Sequence, residues 1–289
     1  MKRLLILSGK GGTGKTTVCA ALVRLMNAKA IADCDVDAPN LHLVMKQTVN
    51  PHTTDFMGGD KAIVNPGLCI GCGICQKNCK FDAVVLSHGK TVINEFSCEG
   101  CGVCEYICPQ NAISLVPDVA GKKLLYVDDD VFSTATLKMG RGNSGKLVTE
   151  VKLAMLKSAP ECDLAISDGS PGIGCPVMAS VGGMDFVLIV AEPSDSGISD
   201  LKRLVQVLAT FQVKLLVCVN KYDTSLDHTT AIETYCKEKA ICFAGKIPFD
   251  TAAVRAVNAG YTVADVDCAA GHAVKEIYEK ILIIKNDIK

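Results

Sequence analysis

A glycine-rich stretch near the N-terminus has the residue types and spacing that bind phosphate. Residues 8–17 read Ser-Gly-Lys-Gly-Gly-Thr-Gly-Lys-Thr-Thr. Glycines let backbone N–H groups point inward around phosphate oxygens without clashes from Cβ atoms. In such a loop Lys15 contacts the β- and γ-phosphates, and the Thr16 hydroxyl binds Mg²⁺. The stretch therefore predicts a nucleoside triphosphate site, against the alternative of a plain tight turn.

The residues on either side of this loop supply the elements that must position it. Residues 4–7 are a short apolar run typical of a buried strand, and residues 18–23 have the composition of a helix. The helix would add its positive dipole end to the loop. We expect the nucleotide to contact the following loop residues: Gly11, Gly12, Thr13, Gly14, Lys15, Thr16 and Thr17.

Two cysteine runs form the second group of residues with metal chemistry. Residues 69–79 and 98–108 each have the spacing C-x₂-C-x₂-C-x₃-C, and the two runs are 29 positions apart. Ala83 and Ala112 repeat at the same offset, which indicates an internal duplication. The spacing is typical of [4Fe–4S] ligation. Zinc sites favour two pairs of ligands, and crowded disulfides would be strained, so both alternatives fit less well.

The duplicated runs resemble a bacterial two-cluster ferredoxin, in which the fourth cysteine of each run binds the other cluster. Lys80 departs from the resemblance, because that position usually holds proline. The resemblance implies the following ligands: Cys69, Cys72, Cys75 and Cys108 for cluster one, and Cys98, Cys101, Cys104 and Cys79 for cluster two.

Acidic residues follow two further apolar runs. Asp33 and Asp35 come at the end of one predicted strand, and Asp168 ends another. Ligands of parallel α/β sheets gather at the carboxyl ends of the strands, so these carboxylates could reach Mg²⁺ or a water molecule. The alternatives are an acidic turn that Pro39 interrupts and a strand-end aspartate that only caps a turn.

The loop carries a second lysine, Lys10, and in this it resembles the deviant Walker A motif of the MinD/ParA/nitrogenase-iron-protein ATPases. The resemblance implies an ATP-sandwiched homodimer, or a heterodimer with a paralogue, in which Lys10 reaches the partner's nucleotide. It further implies that Asp35 orients the attacking water, while Asp33 supports and Asp168 holds Mg²⁺. A solvated surface lysine is the alternative for Lys10.

Two features leave a choice open. Residues 220–223 read Asn-Lys-Tyr-Asp, which matches guanine recognition, whereas in the MinD group an asparagine at the position of Asn220 contacts adenine. The motifs together favour ATP.

Cys175 lies seven positions beyond Asp168, the spacing at which a nitrogenase-iron-protein cysteine holds a cluster between subunits. A free buried thiol is an equal alternative.

Composition narrows the function classes. The chain has 289 residues and a formal net charge of −1, which gives no electrostatic case for nucleic acid. We expect no signal peptide and no membrane span, because the chain enters a strand at once and its apolar runs are short. Sixteen cysteines beside a nucleotide loop favour reduced thiols and a cytoplasmic protein. Residues 273–284 are amphipathic, as in a core helix or, alternatively, a membrane-binding one.

These parts predict a doubly wound, mostly parallel α/β sheet with a small inserted α+β ferredoxin domain. We expect the P-loop ATPase domain over residues 1–60 and 119–289, the inserted domain over 61–118, and a linker over 47–61.

The leading hypothesis is an ATP-hydrolysing protein with Mg²⁺ and two [4Fe–4S] clusters. It would couple dimer closure to electron transfer toward a redox partner, or to assembly of a metal cofactor for an acceptor protein. The alternative is a MinD-like spatial-organising or partitioning ATPase whose ferredoxin module is structural or redox-sensing. ATP-dependent amide transfer is weaker, since no glutaminase segment is recognisable.

Overall fold

The computed structural model of the chain describes residues 1–45 and 47–287. Its backbone divides into two compact units. The first comprises Met1–Thr53, Lys123–Thr136 and Ser144–Lys289, and the second comprises Thr54–Lys122 and Leu137–Asn143. The segment 61–118 lies inside the second unit, and the assignment of these units to an ATPase and a ferredoxin stays a prediction. Residues 46, 288 and 289 of the predicted ATPase domain lie outside the described residues.

Strands and helices alternate along most of the first unit. The elements follow one another as β1 (Lys2–Leu7), α1 (Lys15–Leu25), β2 (Ala30–Asp33), β3 (His52–Val64), α2 (Ile74–Asn78), β4 (Val84–Ser87), β5 (Lys90–Ile93), α3 (Val103–Tyr106), β6 (Ile113–Val127), β7 (Val131–Leu137), α4 (Ser144–Ser158), β8 (Leu164–Asp168), α5 (Cys175–Val181), β9 (Phe186–Ala191), α6 (Asp195–Leu208), β10 (Lys214–Asn220), α7 (Leu226–Glu238), β11 (Cys242–Ile247), α8 (Thr251–Asn258) and α9 (Ala269–Asp287).

The first unit is built on a parallel sheet in the order β11-β10-β9-β1-β8-β2-β7. Successive residues of β1 point to opposite faces. Leu4 and Ile6 pack into one apolar cluster with α1 and α9, whereas Leu5 and Leu7 pack into another with α5 and α6. Helices therefore cover both faces, which confirms the predicted doubly wound α/β fold. It also explains why strands such as β9 are apolar throughout.

The last helix, α9, packs on this sheet. Val274, Ile277 and Ile281 on its apolar face are buried within the same cluster as α1. The structure therefore agrees with a core helix, the first of the two alternatives for this amphipathic segment. Within residues 1–45 and 47–287, no helix combines the length and the apolar character needed to cross a bilayer.

The second unit pairs β3 with β6 and contains an antiparallel hairpin of β4 and β5, in which Val84 faces Ile93. The expected linker over 47–61 is wrong, because β3 occupies its C-terminal part from His52 onward. Few β3 residues are buried, so the strand carries no alternating apolar pattern that a sequence could reveal. Its order comes from backbone pairing rather than from an apolar face.

A buried lysine ties two helices of the first unit together. Lys152 of α4 is only 6% exposed, and its Nζ donates hydrogen bonds to the carbonyl oxygens of Ala179 (2.8 Å), Ser180 (2.7 Å) and Gly182 (2.6 Å). These carbonyls belong to the last turn of α5, where helices lack internal donors. Burial lowers the pKa of Lys152. The three bonds fix the C-terminal end of α5.

We predict that Lys152→Met lowers the free energy of unfolding by about 3 kcal/mol, because buried carbonyls lose their donor. Urea denaturation measures the change. Lys157→Met is the matched control, since Lys157 is exposed in the last turn of the same helix. Equal unfolding midpoints for the two variants would contradict the role given to Lys152.

Candidate functional site

The glycine-rich loop connects β1 to α1 and depends on glycine at two positions. Gly12 and Gly14 have φ angles of 81° and 89°, which L-residues with side chains rarely adopt. A Cβ on Gly14 would also lie 2.2 Å from Nδ2 of Asn220. That Nδ2 donates a hydrogen bond to the carbonyl oxygen of Thr13 over 2.7 Å. Asn220, at the end of β10, therefore stabilises the conformation of the loop.

Thr13 provides a test of whether this loop fits a phosphate. Its side chain is 3% exposed, and its Oγ1 is buried without a hydrogen-bond partner among the described residues. Leaving a buried hydroxyl unpaired costs about 1–3 kcal/mol. A phosphate oxygen in the loop would accept this hydrogen bond, so the loop fits the triphosphate that its sequence predicts.

Lys15 and Thr16, the P-loop residues predicted to contact phosphate and Mg²⁺, both contact the carboxylate of Asp168. Lys15 Nζ lies 2.6 Å from Oδ1 of Asp168, and the Thr16 hydroxyl donates to Oδ2 over 2.6 Å. Lys15 is 5% exposed and Asp168 is 0% exposed. Burial alone would lower the pKa of Lys15, but the charge of Asp168 and its hydrogen bond leave that pKa raised. Three predicted site residues therefore form one charged cluster.

Asp33 lies beside this cluster, because β2 and β8 place it in register with Asp168. Its carboxylate accepts hydrogen bonds from the backbone N–H groups of Asp35 (3.1 Å), Asn40 (3.1 Å) and Leu41 (3.0 Å). Burial and the neighbouring charge of Asp168 raise the pKa of Asp33 to about 7. Burial also raises the pKa of Asp35, against the opposing effect of Lys15. Asp33 thus shapes the loop that carries Asp35.

The pKa of Asp33 predicts a pH dependence for the nucleotide-free protein. A carboxyl with a folded pKa of about 7 and an unfolded value of 3.8 binds more protons when folded. The free energy of unfolding therefore falls as pH rises between these two values, by up to a few kcal/mol. Unfolding at pH 5.5 and pH 8 should show a flatter slope for Asp33→Asn than for the wild type. Identical slopes would be the contrary result.

The glycine loop after β8 lies against the P-loop. A Cβ on Gly169 would lie 2.4 Å from a methyl group of Leu7, so only glycine fits this approach. Gly172 has a φ of 95°, and its N–H donates to the carbonyl oxygen of Ser8 over 2.9 Å. The P-loop and the segment that follows Asp168 are therefore in direct contact.

Lys10 is held by residues that follow β9. Its Nζ lies 2.7 Å from Oε2 of Glu192 and donates to Oγ of Ser196 over 2.8 Å. The side chain of Lys10 is 32% exposed, so this is a half-buried ion pair. Sequence analysis did not identify Glu192. Its position directly after an apolar strand was the available signal, as for Asp33 and Asp168.

A cavity of about 260 Å³ adjoins the loop at Gly12 and Gly14. Asn220, Pro248, Phe249 and Val254 are among its lining residues. Asp223, the guanine-reading residue of the Asn-Lys-Tyr-Asp pattern, accepts the N–H of Phe249 through Oδ1 at 2.8 Å. One oxygen of this exposed carboxylate is therefore bonded to the protein's own backbone.

Cys175 is exposed at the first position of α5. Across residues 1–45 and 47–287, no group of three or more His, Cys, Asp or Glu side chains is placed to hold a metal ion. The thiol is not buried, as the alternative of a packed cysteine would require, and its role at an interface cluster stays a prediction.

The cysteine runs of the second unit contribute to one small core. Cys75 and Cys98 are buried there with Ala62, Ala83 and Ile113. A small cavity of about 20 Å³ in this unit is lined by cysteines of both runs, namely Cys79, Cys98, Cys101 and Cys104. Each cysteine of a cubane binds a different iron, so such ligands surround a space rather than converge on one ion. These four residues are the set predicted for cluster two.

The duplication of the runs recurs in backbone contacts. The N–H of Asn65 donates to the carbonyl oxygen of Ala112, and the N–H of Asn94 donates to that of Ala83, both over 2.7 Å. Each pair is related to the other by 29 positions. The two halves of the second unit therefore hold each other through equivalent bonds.

Two thiols of the runs differ in their surroundings. Hydrogen bonds from the backbone and side chain of Thr91 and from the backbone of Gly71 lower the pKa of Cys69. Burial raises the pKa of Cys104. A metal binds the thiolate form, so the surroundings of Cys69 already favour ligation.

The first strand of the parallel sheet leads through the loop of Lys15 and Thr16 into a helix, and both residues contact Asp168. This arrangement defines a P-loop ATPase. The chain belongs to the CobQ/CobB/MinD/ParA nucleotide-binding domain family, whose model matches residues 4–263.

Individual proteins agree with this membership. An uncharacterised protein of Methanocaldococcus jannaschii is 31% identical over 96% of both chains. The iron–sulfur cluster carrier protein of the same organism is 22% identical over 97% of this chain and 83% of its own. Among solved structures, the cell division ATPase MinD of Pyrococcus furiosus has a TM-score of 0.59 and 19% identity, covering 98% of this chain and 99% of its own. This last likeness concerns the fold.

Proposed function

We propose that the chain is an iron–sulfur ATPase that couples nucleotide-dependent dimer closure to electron transfer or to assembly of a metal cofactor. The observation that carries the proposal is that Cys79 of the first run lies with Cys98, Cys101 and Cys104 of the second around one small cavity. It lies in the same polypeptide as the P-loop. The weak likeness to an iron–sulfur cluster carrier protein supports the assembly role.

Eight cysteines would hold the two clusters, which supply one-electron redox chemistry when bound. The first cluster would be held by Cys69, Cys72, Cys75 and Cys108, and the second by Cys98, Cys101, Cys104 and Cys79. Hydrogen bonds that lower the pKa of Cys69, and the apolar surroundings of Cys75 and Cys98, suit thiolate ligation.

At the nucleotide, Mg²⁺ would neutralise phosphate charge when bound. Lys15 would leave Asp168 for the β- and γ-phosphates, and the Thr16 hydroxyl and Asp168 would face the metal. Asp33 would support it while holding the loop of Asp35, which would orient the attacking water. Asn220 keeps the P-loop against the base cavity.

Dimer closure would require Lys10 to exchange Glu192 for the nucleotide of a partner subunit. The exchange is plausible on physical grounds, because a half-buried pair of this kind contributes only a small free energy. The partner is a second copy of this chain or a paralogue, and a redox or cofactor-acceptor protein completes the reaction.

The MinD-like alternative has less support. A membrane-reaching function needs a free amphipathic helix, whereas Val274, Ile277 and Ile281 of α9 are buried on the sheet. The likeness to MinD structures concerns the fold and does not favour spatial organisation over iron–sulfur chemistry.

The proposal is tested by anaerobic purification, iron and sulfide analysis, and EPR with and without a non-hydrolysable ATP analogue. We expect about eight iron atoms per chain. The analogue should induce dimers and change the midpoint potential of the clusters. Lys10→Ala should bind the analogue normally, yet stay monomeric and show no change in potential.

Lys157→Ala, which removes an exposed lysine elsewhere, is the control and should behave as wild type. Absence of iron from anaerobically prepared protein would refute the cluster assignment. A full iron complement whose potential ignores the nucleotide would refute the coupling.

A further inference from the structure

Two lysines of the second unit make equivalent contacts with the cysteine runs. Lys90 Nζ donates to the carbonyl oxygen of Cys69, and Lys61 Nζ donates to the carbonyl oxygen of Cys98. The lysines are 29 positions apart, which is the offset of the runs themselves. Cys69 and Cys98 are the first cysteines of their runs, so each lysine holds the start of one cysteine loop.

The residue before each lysine also lies against a loop. A Cβ on Gly71 would lie 2.1 Å from the carbonyl oxygen of Gly89, and one on Gly100 would lie 2.0 Å from that of Asp60. Both glycines have positive φ angles, 69° and 64°. Gly89 and Lys90, which precede the second run, therefore contact the first cysteine loop. Asp60 and Lys61, which precede the first run, contact the second cysteine loop in the same way.

We propose that Lys61 and Lys90 are positioning residues for the two clusters, with Lys90 serving cluster one and Lys61 serving cluster two. The inference rests on the proposed function. A cluster held by four thiolates carries net negative charge, which a nearby ammonium group stabilises. The hydrogen bond from each lysine to the carbonyl oxygen of Cys69 or Cys98 holds the cysteine loop in the conformation that binds the cluster. Neither lysine follows from cysteine spacing.

The test measures iron release to a chelator from the anaerobically purified full chain. Wild-type protein should release about eight iron atoms slowly. In Lys90→Met and Lys61→Met, about four of the eight should be released at least tenfold faster, from a different cluster in each variant. Lys90→Arg and Lys61→Arg should restore slow release, because arginine keeps the charge and the donors.

Lys77→Met is the matched control, since Lys77 is an exposed lysine on α2 in the same unit and should release iron as wild type does. In each variant the cluster that is still released slowly shows that the unit remains folded. Wild-type release rates in both methionine variants, or loss of all iron at one fast rate, would overturn the inference. Wild-type protein without iron would instead overturn the proposed function.

Discussion

The buried ion pair between Lys15 and Asp168 is the interaction on which the nucleotide site depends. Both groups are almost completely removed from water, so each requires the other. Breaking such a pair by removing one partner costs about 3–5 kcal/mol. The pair can form because β1 and β8 are parallel neighbours, with Ile6 in register with Asp168. The apolar sheet therefore brings the charges of Lys15 and Asp168 together at the carboxyl ends of its strands.

The second unit depends on a different constraint, the shortage of apolar core. Small domains bury a smaller fraction of their surface on folding than large ones and are correspondingly marginal in stability. Here cysteines occupy core positions beside Ala83 and Ile113, so the residues that would bind clusters also do much of the packing. Under the proposed function, cluster binding and folding of this unit are one process. The equivalent backbone bonds of Asn65 and Asn94 connect the two halves of the unit.

Local sequence predicted those features that depend on local chemistry. The P-loop, with Lys15 and Thr16, and the cysteine runs follow from spacing that few other functions require. The pairing of Lys10 with Glu192 and of Lys61 with Cys98 joins residues far apart in the chain, and a single sequence does not reveal such contacts. β3 was missed because its side chains are mostly exposed and its order comes from backbone pairing.

Coupling between the two chemistries is limited by the energy that the nucleotide can supply. A ligand shifts a conformational equilibrium only by the difference between its affinities for the two states. Under the proposed function Lys10 would exchange Glu192 for the nucleotide of a partner subunit, so the new contact would favour closure only by the difference between its free energy and that of the ion pair. The half-buried pair of Lys10 and Glu192 is weak enough to be replaced. Glu192 therefore sets the reference from which the γ-phosphate would favour closure.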